Sequence, residues 1–109
     1  MASTPEKKVK DKVKKILKDH GAYFFNPVTG GYGSSGVPDI VCCYKGRFIG
    51  IETKAGKGKP TALQEKNLME IAEKGGVAIL VNENGIKYVE DMFAVGIPEA
   101  GVLFDLLKE

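Results

Sequence analysis

The sequence has no tryptophan, a single histidine and only two cysteines, Cys42 and Cys43, which are neighbours. Adjacent residues on a strand point to opposite faces, and one histidine with two such thiols cannot complete a zinc site. A structural zinc is therefore excluded, a redox role is not expected, and the thiols read as small apolar packing. No apolar run approaches the roughly 18 residues of a membrane span. The lysine-rich start is not followed by the apolar stretch of a signal peptide. Cytoplasm is the default location, with no membrane partner. Internal repeats are absent. So is a large charge excess, since 16 Lys and Arg against 14 Asp and Glu leave +2.

What is there suits one globular domain over residues 1–109, with 43% hydrophobic and 28% charged residues. The small net charge hides an uneven distribution. Residues 1–20 carry +4, residues 21–44 carry −1, residues 45–66 carry +4 and residues 67–109 carry −5. Two basic segments favour a polyanionic partner. The plainer reading of the same lysines is a solvated surface that keeps a small protein in solution.

The segment Gly36–Lys54, GVPDIVCCYKGRFIGIETK, organises the rest. Two short runs rich in β-branched and aromatic residues, Ile40–Tyr44 and Arg47–Ile51, flank Lys45-Gly46 and predict a β-hairpin. With Lys45 and Gly46 as the loop, Tyr44 faces Arg47 and Asp39 falls opposite Glu52. Gly50, Glu52 and Lys54 then share one face, while Ile49, Ile51 and Thr53 take the other. Opposed residues lie about 4.5–5.5 Å apart at Cβ, where like charges destabilise. Two carboxylates so placed call for a cation between them, and a hard divalent ion such as Mg²⁺ suits oxygen ligands with retained waters.

Pro38-Asp39 followed by Glu52-Thr53-Lys54 resembles the PD-(D/E)xK nuclease superfamily. With Thr61-Ala62-Leu63-Gln64 and Gly75-Gly76 downstream, the run from Gly36 to Gly76 is similar to the virus-type replication-repair nuclease (VRR-NUC) family, above all its small stand-alone phage members. The resemblance implies a restriction-endonuclease-like αβββαβ core and a DNA endonuclease dependent on Mg²⁺ or Mn²⁺, working in the host cytoplasm if phage-encoded. It implies that Asp39, Glu52 and the Thr53 carbonyl hold the metal. Lys54 would orient the attacking water or stabilise the pentacovalent phosphorus. Gln64 and a helix-one acid, matched by Glu6, would complete the catalytic set. Some such enzymes resolve Holliday junctions as homodimers, which implies branched DNA and a second copy of the chain as partners.

Read without that resemblance, several of these residues have plainer roles. Residues 4–20 predict a helix capped by Thr4, with Pro5 in its first turn and Val9, Val13, Ile16 and Leu17 in one apolar stripe. Glu6 falls within that stripe, and it also compensates the helix dipole. Tyr23–Phe25 reads as a short strand or as an anchor for the loop Asn26–Gly36. That loop contains Gly31-x-Gly33-x-x-Gly36, but it leads into a strand rather than a helix, so a dinucleotide or other small-molecule cofactor is not expected. Its Ser34 and Ser35 could hold a substrate phosphate and Tyr32 could stack on a base, or the loop is a surface connection. Lys57 and Lys59 suit phosphate contacts.

Thr61-x-x-Gln64 predicts a capping box opening a helix to about Lys74, with Gln64 serving the cap alone or a site as well. Val77–Val81 predicts a buried strand, Asn82–Gly85 a turn, Ile86–Val89 a returning strand and Glu90–Val95 a short helix. Residues 99–108 predict a helix whose Val102–Leu107 surface supplies either a two-fold interface or the last core element. The expected class is α/β with a mixed sheet and flanking helices. Two alternatives to a nuclease stand beside it. One is a non-catalytic DNA-binding module of the same fold. The other takes Glu52 and Lys54 as a plain ion pair on an unrelated domain, which the built-in Asp39–Glu52 repulsion argues against.

Overall fold

The computed structural model describes residues 4–28, 36–99 and 101–103. Helix α1 (Pro5–Asp19) begins where Thr4 caps it, the Thr4 hydroxyl accepting the Lys7 N–H at 3.1 Å. Its stripe of Val9, Val13, Ile16 and Leu17 is buried. Strand β1 (Tyr23–Phe25) pairs antiparallel with β2 (Ile40–Tyr44), which pairs antiparallel with β3 (Arg47–Thr53). The β2–β3 connection is the two-residue turn predicted above. Lys45 and Gly46 both adopt positive φ, 50° and 79°, which matches the twist of the flanking strands. Tyr44 therefore faces Arg47, and Ile40 faces Ile51.

Helix α2 (Ala62–Glu73) carries the chain over to β4 (Val77–Val81), which lies parallel to β3. A turn of 3₁₀ helix at Glu83–Gly85 leads into α3 (Ile86–Val95), and β5 (Gly101–Leu103) pairs parallel with β4. The result is a mixed sheet in the order β1-β2-β3-β4-β5. On one face α1 and α3 close the main core with Phe24, Cys42, Ile49, Ile51 and Ile79. On the other, Leu68 and Ile71 of α2 pack on Ala78 and Leu80. Strand β4 is buried at all five positions because helices cover both its faces, so its sequence is a continuous apolar run rather than an alternation. Each fully buried Leu or Ile here contributes roughly 1.5–3 kcal/mol through removal from water.

Two expectations are corrected. Ile86–Val89 does not return as a strand but opens α3. Both edges of β4 are taken, by β3 and by β5, so no strand can return beside it. Ile86, Val89 and Phe93 instead recur at helical spacing and face the α1 core. The predicted helix over residues 99–108 is a strand at Gly101–Leu103, and the residues after it lie outside the described ones. A dense apolar run has no period to separate a helix from a buried strand. Arg47 steadies the approach to β5, its guanidinium donating to the carbonyls of Ile97, Pro98 and Glu99. The thiols also differ from each other. Cys42 is buried, and desolvation pushes its thiol up to about 12, whereas Cys43 is exposed and packs no core.

Candidate active site

The hairpin register brings Asp39, just before β2, next to the end of β3. Asp39 Oδ2 accepts two hydrogen bonds from Thr53, one from N–H and one from Oγ1, each 2.8 Å. Asn26 Nδ2 donates to the Asp39 carbonyl at 3.2 Å, and Lys10 Nζ lies 3.8 Å from Asp39 Oδ1. Asp39 is thus held in place from β3, from the segment after β1 and from α1.

Glu52 projects from the face of β3 that α2 covers and is only 1% exposed. Its Oε2 accepts from Gln64 Nε2 at 3.0 Å and lies 3.5 Å from Lys54 Nζ, while its Oε1 is buried without a hydrogen-bond partner. Burial, and then the neighbouring Asp39 charge, push the Glu52 carboxyl up to about 8. The Lys54 ammonium pulls the other way but is outweighed, because desolvation of an enclosed carboxylate exceeds one partly offset ion pair.

The Gln64 amide makes two kinds of contact, one with its helix cap and one with Glu52. Its Oε1 accepts the Thr61 N–H at 2.9 Å, and its backbone N–H donates to Thr61 Oγ1 at 3.1 Å, which completes the capping box. Its Nε2 is left free to reach Glu52. The start of α2 is fixed in turn by Gly36, where φ is +81° and an added Cβ would lie 2.7 Å from the Leu63 carbonyl carbon. Gly36→Ala should lower stability by about 1–3 kcal/mol and displace Gln64 from Glu52. A thermal melt no lower than that of the unchanged protein would contradict this.

An enclosed carboxylate oxygen with no donor, beside a second carboxylate, fits a hard cation better than it fits an apolar core. Among the described residues no three His, Cys, Asp or Glu side chains converge. Of the side chains described, such a site would draw on these two carboxylates, with the Thr53 carbonyl, water or substrate supplying the rest.

No family model matches this sequence, and no curated protein matches it. A solved structure described as "VRR_NUC domain" does, with a TM-score of 0.69 and 21% identity over 85% of this chain and 98% of that one. The chain has the VRR_NUC domain fold. On that fold Asp39, Glu52, Lys54 and Gln64 come together at the ends of β2 and β3 and the start of α2, and the Thr53 N–H and hydroxyl turn towards Asp39.

Other residues singled out from the sequence are placed elsewhere. Glu6 is half-buried one turn before Lys10 and makes no hydrogen bond or ion pair among the described residues. Lys57 and Lys59 are exposed on a loop pinned by the β4–α3 turn. Glu83 accepts the Gly56 N–H at 2.7 and 2.9 Å, and Asn82 Nδ2 donates to the Gly56 carbonyl at 3.1 Å. Tyr32, Ser34 and Ser35 lie outside the described residues, as does most of the Val102–Leu107 tail.

Lys10 was missed, although a half-buried lysine one turn beyond Glu6 on the edge of the α1 stripe was open to notice. Asn26 and Glu83 had no local signal, because their partners are 13 and 27 residues away.

Proposed function

We propose that this VRR_NUC-fold protein is a divalent-metal-dependent endonuclease that hydrolyses phosphodiester bonds in DNA, with a preference for branched DNA. The observation that carries the reading is the Glu52 carboxylate, enclosed, with Oε1 unpartnered, next to Asp39 and Lys54. Asp39, Glu52 and the Thr53 carbonyl would hold Mg²⁺ or Mn²⁺. When bound, the ion would acidify an attacking water and neutralise charge on the phosphate oxygens.

The chain's own residues do the remaining work. Thr53 fixes the Asp39 rotamer through two hydrogen bonds, so that carboxylate is preorganised before substrate arrives. Gln64 holds Glu52 Oε2, while Oε1 is buried without a hydrogen-bond partner. Lys54 stands on the same face as Glu52, where its ammonium can orient water or stabilise charge building on phosphorus. Glu6 is within this proposal as an outer acid, and Ser34, Ser35 and Tyr32 as substrate contacts.

A non-catalytic DNA-binding module is the second reading. It is favoured by Asp39 Oδ2 already accepting two hydrogen bonds and by two lysines beside the carboxylates. One experiment separates the two readings. Supercoiled, linear, flapped and four-way DNA are incubated with Mg²⁺ or Mn²⁺, and cleavage of none of them sinks the nuclease reading. Paired cuts in a four-way junction need two sites, so a homodimer belongs to this proposal. A monomer mass by light scattering alongside paired cutting would remove it.

Lys57 and Lys59 give a further expected result. If they contact phosphates, affinity for duplex DNA falls with salt by a logarithmic slope of about −0.9 per contact. Lys57→Ala with Lys59→Ala should flatten the slope by up to roughly two. An unchanged slope would leave these lysines on a solvated face. The α1 lysines offer less, since Lys7 and Lys15 already sit 2.7 Å from Asp11 and Asp19.

A further inference from the structure

The sheet face that carries Glu52 continues beyond α2 into an exposed aromatic shelf. Helix α2 packs over β3, β4 and β5. On the same face, Tyr23 and Phe25 of β1 are 72% and 49% exposed, and Phe48 of β3 is 51% exposed. The register places all three. Tyr23 and Phe48 both pair across Cys43, so they stand two strands apart, roughly 9–10 Å. Phe25 lies in the next row with Val41 and Gly50, its ring centroid 6.4 Å from that of Tyr23. Glu52 is two residues past Gly50 on the same strand, about 7 Å further along. Beside Phe48 is a hollow of about 310 Å³ bounded by Ile71, Lys74 and Gly76.

We propose that this shelf of Tyr23, Phe25 and Phe48 stacks the unpaired bases of a single-stranded segment of DNA that adjoins the bond placed at Asp39 and Glu52. The proposal rests on the nuclease reading and gives it a substrate class: DNA with unpaired nucleotides next to the cut. Three observations favour bases over a second copy of the chain. The outward-facing groups are planar rings, which stack on any base, with little aliphatic surface between them. The shelf presents on the order of 300–400 Å² of ring surface, well short of the roughly 800 Å² per partner of a stable interface. It also shares a face with the carboxylates and is bordered by Lys74, whose ammonium suits a phosphate of the strand crossing it. Pro38 and Ile71 meet over Gly50 and form a ridge between the hollow and the site. A strand lying over that ridge keeps its phosphate at the carboxylates and its bases beyond.

The test measures affinity without metal, by fluorescence anisotropy, for three DNAs. These are a blunt duplex, the same duplex with a short thymidine tail, and the same duplex with an abasic tail of equal length. The thymidine tail should bind about tenfold more tightly than the abasic one. Tyr23→Ala and Phe48→Ala should each remove most of that difference without changing affinity for the blunt duplex, while Tyr23→Phe and Phe48→Tyr should keep it. Equal affinity for the two tails overturns the proposal, and this comparison needs only the unchanged protein, so a variant that fails to fold does not close the test. A variant that keeps the tail preference but lowers the mass seen by light scattering also overturns it, and makes the face an interface between copies. Cleavage of the tailed duplex with Mn²⁺ is scored separately. Base-dependent binding with neither this duplex nor supercoiled, linear, flapped or four-way DNA cut would sink the nuclease reading and leave the shelf in place.

Discussion

Asp39→Asn should lower metal-dependent cleavage by on the order of 10³-fold or more while leaving the metal-free protein folded. An asparagine carbonyl can still accept both hydrogen bonds from Thr53. What it loses is charge: the Lys10 contact at Oδ1 weakens, and the repulsion on Glu52 is relieved. Metal-free stability should therefore match or exceed that of the unchanged protein. Asp39→Ala should differ, because it strands the Thr53 N–H and hydroxyl, at a cost of about 1–3 kcal/mol. Glu52→Gln should behave as Asp39→Asn does. Lys54→Ala should lose cleavage yet keep the rise in melting temperature that Mn²⁺ produces, since it acts on the reacting phosphate rather than on the ion. The decisive measurements are cleavage and Mn²⁺-dependent melting side by side. Full cleavage by Asp39→Asn would end the assignment of Asp39 as a metal ligand and leave it as a hydrogen-bonding residue of the hairpin.

The stability of the metal-free protein should fall as pH rises from about 4.5 to about 8. Burial and the Asp39 charge raise the folded Glu52 carboxyl from 4.5 to about 8, so in that window the folded chain holds a proton that the unfolded chain has released. The unfolded state then binds fewer protons, and stability declines with pH until the folded carboxyl itself ionises, after which this contribution is flat. The loss across the window is on the order of 3–5 kcal/mol at most, a large part of a small domain's total. Glu52→Gln should abolish the decline and exceed the unchanged protein at pH 8. Excess Mn²⁺ should restore stability there, and its binding near pH 7 should release a proton. Urea melts at several pH values decide this. A flat profile identical to that of Glu52→Gln would show that Glu52 ionises freely and that its enclosure costs nothing.

Sequence by itself determined the central hairpin and what it presents. A two-residue turn at Lys45-Gly46 admits one register, and a period of two then sends Glu52 and Lys54 to one face and Ile49 and Ile51 to the other. The capping box at Thr61 and Gln64 was legible for the same reason, as was the stripe of α1: each is a local pattern whose physics is complete within a few residues. Tertiary structure decided the rest. Whether Ile86–Val89 became strand or helix depended on whether β4 had a free edge, and that was set by the tail strand at Gly101–Leu103. The local pattern at Gln64 spells only a cap; its nearness to Glu52 was implied by the family resemblance alone until α2 was laid across the sheet. Lys10 meets Asp39 across 29 residues of chain, and Glu83 meets Gly56 across 27. The state of Glu52 is the clearest case. Its charge is written in the sequence, but its proton depends on water, and only the packing of α2 over β3 removed the water.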